Sequence, residues 1–334
     1  MATADEIERT LERWGNQLLR PGLHKVGKPG ADARRRLPLA LRGSRLRNEL
    51  RALVRGSPEV MVKVTGGGRG MQAIKAHFAY ISRRGELALE NDRGEEVRGR
   101  QALAGLALEW QYGGGLIPAV SHRREAFHVM LSMPPQTDAQ TVLWAARHFA
   151  RGTFEQHQYA LVLHDPALDP ESHRPHVHLI VRAEGRTGLR LNPRKADLAK
   201  WRQSFAERLQ ERGVAASASR RQSRGVLQPA KRLAEHHVGQ LEKRAWPLRQ
   251  GHKARATEDQ VLKGWREVAA ALTRSANPED RRLALELAEF VDRMPALRRR
   301  RAQETQLGLF ERGREVRADR EGERPPVPER GISR

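Results

Sequence analysis

The segment from His164 to Ala183 constrains the fold of this chain more than any other stretch. Its second half alternates two histidines with apolar residues. Successive side chains of a β-strand point to opposite faces, so His176 and His178 share one face, together with Ile180 and Arg182. The other face is wholly apolar. The pattern therefore predicts a strand whose apolar face packs on helices and whose second face holds two imidazoles close together.

A third histidine, His164, ends the preceding apolar run 159–163. A loop rich in proline and aspartate follows, and a hairpin-like connection would return the chain so that His164 lies beside His176 and His178. Neutral imidazole is a common metal ligand, and three protein ligands leave positions for a substrate. The spacing predicts an open metal site. His173, inside the loop, is the alternative third ligand, and a purely structural role for the histidines is the other interpretation.

The charge balance indicates a polyanionic partner. The 334 residues include 62 Lys and Arg against 40 Asp and Glu, which gives a net charge of +22. Nucleic acid is the first expectation and an anionic membrane surface the second. No apolar run is long enough to span a membrane, and the polar start is unlike a signal peptide. The chain has no cysteine, which excludes disulfides and thiolate metal sites and fits a cytoplasmic location.

Hydrophobic periodicity predicts helices alternating with strands, followed by a helical region. The predicted helices span 3–18, 71–84, 101–110, 138–154 and 196–212, the predicted strands span 60–65, 127–133, 159–163 and 176–183, and later helical patterns cover 229–243, 258–272 and 278–301. The domains expected from this order are a basic N-terminal arm with short helices (1–57), a mixed domain (58–225), a helical region (226–310) and a disordered charged tail (311–334).

One tyrosine stands out as a candidate for chemistry. Tyr80 lies on the flank of the apolar stripe of helix 71–84, near His77 one turn earlier. The chain has three tyrosines. Tyr159 begins a predicted buried strand and Tyr112 precedes a glycine turn, so Tyr80 is the best candidate by elimination. The glycine-rich segment before this helix lacks the phosphate-loop pattern and is expected to be a flexible turn.

Together these features resemble the HUH endonuclease superfamily and, within it, the conjugative relaxase and mobilisation nuclease family. The resemblance rests on His176-Val177-His178, on KAHFAYISRRGE around Tyr80, and on RPHVH followed by LNPRKADL. It covers roughly 58–225 and is closest to the branch of mobilisation nucleases that includes the T-DNA border nuclease. It implies an α+β fold with a central, mostly antiparallel sheet flanked by helices, and here a helical C-terminal extension.

The resemblance implies a function. Tyr80 would be the nucleophile, and His164, His176 and His178 would hold a divalent metal ion, Mg²⁺ or Mn²⁺. The enzyme would be a site- and strand-specific DNA relaxase that nicks single-stranded or locally melted DNA at a plasmid transfer origin. It would leave a 5′-phosphotyrosine and a free 3′-OH during conjugative mobilisation. The partners implied are this DNA, relaxosome accessory proteins and a type IV secretion coupling protein.

The chain departs from the family pattern at the first ligand. The family often has His-X-Asp, whereas here Asp165 follows His164 directly and a proline occupies the expected position. Asp165 and Asp169 are therefore both candidates for a carboxylate behind the ligands. His77 and His128 are candidates for a base or for side chains that support the ligands.

Four basic residues are predicted to grip the DNA backbone with salt-sensitive affinity, namely Arg182, Arg190, Arg194 and Lys195. A solvated basic face is the alternative interpretation for each of them. Two rival functions remain at this point. One is an HUH rolling-circle replication initiator, which shares the chemistry, and the other is a non-catalytic nucleic-acid-binding protein with a structural histidine cluster.

Overall fold

A computed structural model describes residues 3–19, 38–219, 222–225, 252–295, 297–302 and 305. The chain divides into two compact units, 1–220 and 221–334. The first unit contains the arm expected over 1–57 as well as the sheet. The helix expected over 229–243 and the tail expected over 311–334 lie outside the described residues.

The helices and strands of the first unit follow the predicted order closely. They are α1 (Ala4–Thr10), a π-helical turn (Leu11–Gly15), α2 (Asn16–Leu19), α3 (Leu39–Val54), β1 (Met61–Gly66), α4 (Met71–Ile81), a 3₁₀ turn (Arg83–Gly85), β2 (Leu89–Asn91), β3 (Glu96–Val97), α5 (Gly99–Tyr112), β4 (Ala126–Ser132), α6 (Ala139–Thr153), β5 (Tyr159–His164), β6 (His176–Arg182) and α7 (Lys195–Gln210). Strands β2 and β3 form a short antiparallel hairpin before α5.

The six strands form one sheet in the order β1-β4-β6-β5-β2-β3, and every pair is antiparallel. Strand β6, which carries the His-X-His sequence, lies in the interior between β4 and β5. Both neighbours connect to β6 by direct backbone hydrogen bonding, so its register is fixed from two sides. The α+β prediction with an antiparallel sheet flanked by helices is confirmed.

Helices cover both faces of the sheet. The apolar face of β6, with Val177, Leu179 and Val181, packs on α6 and α7 in one hydrophobic core, as the alternation predicts. The opposite face packs on α4 and α5 in a second core, to which β6 contributes Ile180. Because His176 and His178 belong to this second face, they lie on the side of the sheet that carries α4.

The glycine-rich segment 66–70 is a packed turn, which corrects the expectation of a flexible one. The backbone N–H of Met71 donates to the carbonyl of Pro118 at 2.9 Å. Gly70 has φ +94°, and a Cβ there would lie 2.5 Å from the carbonyl oxygen of Ala119. Glycine is required for this close approach. The carbonyls around residue 118 occupy the start of α4, which is therefore not a free anion site.

The second unit is helical in its described part. It contains a 3₁₀ turn (Gln222–Arg224), α8 (His252–Thr273) and α9 (Pro278–Asp292). The indole N–H of the fully buried Trp265 donates to the Ser223 carbonyl at 2.8 Å, which ties the turn to α8. None of the helices in the described part of the chain combines the length and apolar character that a membrane crossing requires.

Candidate active site

Three histidines meet on the α4 side of the sheet. The antiparallel register of β5 and β6 places His164 directly opposite His176, and the strand alternation puts His178 on the same face. The ring centroids of the three pairs are 4.8–5.0 Å apart, and one ring nitrogen from each lies within 4.8 Å of the others. His173 is exposed and is not part of this group.

The orientation of His176 and the neutral state of all three imidazoles suit the binding of a metal ion. Nδ1 of His176 lies 2.9 Å from the Arg174 carbonyl and 3.3 Å from the Ser172 hydroxyl, which orients the ring and leaves Nε2 for an ion. Burial lowers the pKa of all three histidines, and that of His178 falls to about 3. The rings are therefore neutral at pH 7, as a ligand must be.

His164 contacts two acceptors. Its Nε2 lies 2.8 Å from the Ile81 carbonyl, and its Nδ1 lies 2.8 Å from Oδ2 of Asp169. A neutral imidazole has one N–H, so it donates to one of these acceptors, and the lone pair of the other nitrogen faces the second acceptor. His164 must give up that second contact to bind an ion. Asp169 is thus the carboxylate beside the three histidines. Asp165, the other candidate, instead accepts from the backbone N–H of Ala167 at 2.9 Å.

Tyr80 lies near the end of α4 with 62% of its surface exposed. Its ring contacts the His77 ring at a centroid distance of 6.0 Å, and the guanidinium carbon of Arg83 lies 6.0 Å from the Tyr80 centroid. The next residue, Ile81, is the one whose carbonyl meets His164. The end of the helix that carries the tyrosine is therefore in direct contact with the histidine cluster.

A row of aromatic rings runs from Tyr80 to the cluster. His77 stacks on His128 with centroids 3.5 Å apart and planes 4° apart, and it meets His178 edge-on at 6.4 Å. Burial lowers the pKa of His77 to about 4 and that of His128 to about 3. Nε2 of each is buried without a hydrogen-bond partner in the described part of the chain. Both residues are thus neutral at pH 7 and line the site.

Arg83 is the site residue that the sequence reasoning missed. Its Nη2 lies 3.1 Å from Oδ2 of Asp169, 3.0 Å from Oε2 of Glu171 and 3.5 Å from Nδ1 of His164. Burial alone would raise the pKa of Asp169, but Arg83, the Glu171 backbone N–H and His164 together lower it. The sequence feature that could have pointed to Arg83 is its position in YISRRG, three residues after Tyr80.

Arg182 does not fit the predicted DNA contact. It is buried, with 4% of its surface exposed. Its guanidinium donates to Oε1 of Gln158 at 2.7 Å and to the carbonyl of Gly115. The alternation correctly places Arg182 on the face of the histidines, but there it holds the glycine turn after α5 against the end of β6. This arginine is a structural residue.

The other three predicted DNA contacts differ in exposure. Arg190 forms ion pairs with Glu184 at 3.1 Å and with Glu125 at 3.0 Å, and its side chain is 28% exposed. Arg194 and Lys195 are exposed at the start of α7. A solvent-facing cation can reach a DNA backbone without breaking internal contacts. Arg194 and Lys195 therefore suit the predicted role better than Arg190 does.

An antiparallel sheet with His-X-His on an interior strand and a third histidine on its neighbour is the arrangement expected for an HUH endonuclease. Residues 97–214 match the family model described as relaxase, MobA/VirD2-like, nuclease domain. Residues 97–214 are thus similar to the nuclease domain of this relaxase family. No curated protein sequence matches the chain. The match includes the three histidines, begins after Tyr80, and supports a DNA-nicking function.

Proposed function

We propose that the protein is a site- and strand-specific relaxase that nicks single-stranded or locally melted DNA at a transfer origin for conjugative mobilisation. One observation carries the proposal. The carbonyl of Ile81, next to Tyr80, lies 2.8 Å from Nε2 of His164, so the tyrosine-bearing helix end meets the histidine cluster in a chain with a relaxase domain. A nucleophile and a phosphate-binding centre need this proximity.

Tyr80 acts as the nucleophile in this proposal. Its phenolic oxygen forms a bond to phosphorus while the bond from phosphorus to the 3′ oxygen breaks. The tyrosine proton passes to solvent or a nearby base, and the 3′ oxygen takes up a proton to become a free 3′-OH. The 5′ end stays on Tyr80 as a phosphotyrosine. One phosphodiester replaces another, so the reverse reaction can rejoin the strand.

His164, His176 and His178 are the residues that would hold Mg²⁺ or Mn²⁺. The ion would supply Lewis-acid polarisation of a phosphate oxygen. The three imidazoles add no negative charge of their own, so the site repels the phosphodiester anion less than a carboxylate site would. Asp169 beside His164 keeps that ring oriented, in the way that outer carboxylates orient ligand histidines.

His77 and His128 support this arrangement rather than remove the tyrosine proton. A base works best when its pKa is near the working pH, and burial holds the pKa of His77 at about 4. His77 contacts Tyr80 through the faces of the two rings, whose centroids are 6.0 Å apart, and not through a hydrogen bond to the phenolic oxygen. His77 is thus placed to position the tyrosine ring, and the stacked His128 is placed to hold His77.

Arg194 and Lys195 would bind the DNA backbone near the site, and Arg190 would contribute only if it left its ion pairs. Relaxosome accessory proteins and a type IV secretion coupling protein are the further partners that conjugative mobilisation requires. A rolling-circle initiator would use the same tyrosine chemistry. A relaxase would cleave DNA from a transfer origin, whereas a rolling-circle initiator would cleave DNA from a replication origin.

The test is adduct formation on labelled single-stranded oligonucleotides from the candidate transfer origin, with Mg²⁺ or Mn²⁺, resolved on a denaturing gel. Wild type is expected to retain the label through SDS, whereas Tyr80→Phe and His176→Ala are not. Tyr112→Phe is the matched control, because Tyr112 is as exposed as Tyr80, at 64%. An adduct on Tyr80→Phe would assign the nucleophile elsewhere. DNA binding without cleavage by wild type would favour a non-catalytic binding protein.

A further inference from the structure

The chain leaves α4 through an unusual turn. Arg83 and Arg84 have φ values of +52° and +60°, and they are the only non-glycine residues with positive φ in the described part of the chain. A side chain with a Cβ disfavours this left-handed backbone, which glycine adopts at little cost. Such a conformation persists where the surrounding structure holds it, and it often marks a functional site.

The turn is held in place by Ser82. The buried Ser82 hydroxyl donates to the Phe78 carbonyl at 2.7 Å and accepts from the Gly85 N–H at 3.0 Å. These bonds close the end of α4 and direct the following side chain back toward the sheet. Arg83 therefore reaches the histidine cluster, while Arg84 is exposed.

We propose that Arg83 is a positioning residue that holds the nucleophile helix and the first ligand histidine in a fixed relation. The proposal rests on the proposed roles of Tyr80 and His164. Arg83 lies between the two, since its Nη2 contacts Asp169 at 3.1 Å and its guanidinium carbon lies 6.0 Å from the Tyr80 ring. A single planar side chain thus connects the tyrosine to the carboxylate that faces His164.

Asp169 is the stronger anchor of Arg83. Its side chain is 5% exposed, whereas that of Glu171 is 73% exposed. An exposed ion pair contributes little, while a buried carboxylate depends on its cation. Without Arg83, Asp169 would lose the cation that contacts the same oxygen as Nδ1 of His164. Arg83 therefore acts on a metal ion through Asp169 and His164.

The test compares Arg83→Asn with Arg84→Asn. Asparagine tolerates the left-handed backbone, and each variant removes one positive charge from the same turn. For each variant we would measure Mn²⁺ binding without DNA and DNA affinity without metal. We would also measure adduct formation in a single turnover at saturating oligonucleotide, and the melting temperature. In Arg83→Asn we expect about tenfold weaker Mn²⁺ binding and about ten- to a hundredfold slower adduct formation. DNA affinity should stay within about twofold of Arg84→Asn, because any one backbone contact is a small part of the total.

Arg83→Lys keeps the cation without the planar fork, so partial recovery of Mn²⁺ affinity is expected. Equal Mn²⁺ affinity and equal adduct rates in the two asparagine variants would overturn the proposal. A lower melting temperature for Arg83→Asn with unchanged Mn²⁺ affinity would overturn it too, by making the role purely structural. The Mn²⁺ titration needs no cleavage, so it tests Arg83 even if wild type forms no adduct and the proposed function fails.

Discussion

Oδ2 of Asp169 lies 2.8 Å from Nδ1 of His164, so the loop between β5 and β6 supplies a carboxylate to the residue that ends β5. The loop thereby does more than connect two strands. It places a negative charge next to one imidazole of the candidate metal site, and the same carboxylate oxygen contacts Arg83 at 3.1 Å.

Asp169→Asn should weaken Mn²⁺ binding by about ten- to a hundredfold, because a neutral amide orients His164 less firmly and makes it less basic. Calorimetric titration of the metal measures the effect. Asp165→Asn is the matched control from the same loop and should bind Mn²⁺ as wild type does. Equal losses in the two variants would mean that Asp169 has no special relation to the ligands.

His164→Ala should abolish Mn²⁺ binding at concentrations that saturate wild type, because two imidazoles alone hold such an ion weakly. His173→Ala should leave binding unchanged, since that residue is exposed and outside the cluster. Chelation with EDTA should stop adduct formation by wild type. Loss of binding in His173→Ala would show that the loop rearranges to supply the third ligand.

The sequence predicts those parts of the site that depend on local periodicity. The two-residue repeat of a strand determines that His176 and His178 share a face, and the short separation from His164 makes a hairpin the simplest connection. The choice between Asp165 and Asp169 depends on the path of the loop. The backbone of Arg83 depends on the bonds of Ser82. No local sequence pattern predicts the loop path or the Arg83 backbone, so these two features are known only from the folded structure.

Arg182 shows a different limit of periodicity. The repeat gives the face of the side chain but not what covers the end of the strand, and here the glycine turn 113–115 and Gln158 cover it. Exposure therefore could not be read from the pattern. The same reasoning explains why the exposed Arg194 and the paired Arg190 looked alike in sequence.

Arg182→Met should destabilise the fold by about 2–4 kcal/mol, because it removes the partly buried hydrogen bonds that the buried guanidinium donates to Gly115 and Gln158. Urea unfolding measures this loss. Arg98→Met should cost less than about 1 kcal/mol, since its ion pair with Glu96 is exposed. DNA affinity of folded Arg182→Met should match wild type. A large loss of DNA affinity with unchanged stability would instead support the prediction that Arg182 contacts DNA.

The double variant Arg194→Ala/Lys195→Ala should bind single-stranded DNA more weakly and with a shallower salt dependence. Each lost phosphate contact reduces the slope of log affinity against log salt by about 0.7. The comparison is Arg147→Ala/Arg151→Ala, which removes two exposed charges from α6, the neighbouring helix in the same hydrophobic core as α7. Identical slopes for the two double variants would indicate unspecific attraction by net charge.

Glu125→Gln should be less stable than wild type at pH 7, by about 1–3 kcal/mol. Burial would raise the pKa of Glu125, but hydrogen bonds from Ser121, Arg123 and Arg190 outweigh it and lower the pKa below 4.5. A lowered carboxyl pKa stabilises the fold above the ordinary value and loses this effect as the pH falls through the lowered value.

The difference between wild type and Glu125→Gln should therefore shrink in acid. Unfolding curves at neutral pH and below the ordinary pKa measure it. Glu96→Gln, with an exposed side chain, should show little difference from wild type at either pH. A gap for Glu125→Gln that stays constant with pH would mean that its charge does not stabilise the fold.

Strand β6 is hydrogen-bonded on both sides and covered on both faces. Its amide hydrogens should exchange with solvent only when the whole sheet opens, later than those of the β2–β3 hairpin at the edge. We therefore expect the backbone of His176 and His178 to stay folded during local unfolding of the sheet edge. Partial unfolding at the rim would leave their spacing intact, so a destabilising substitution elsewhere should remove the site and the fold together rather than loosen the site by degrees.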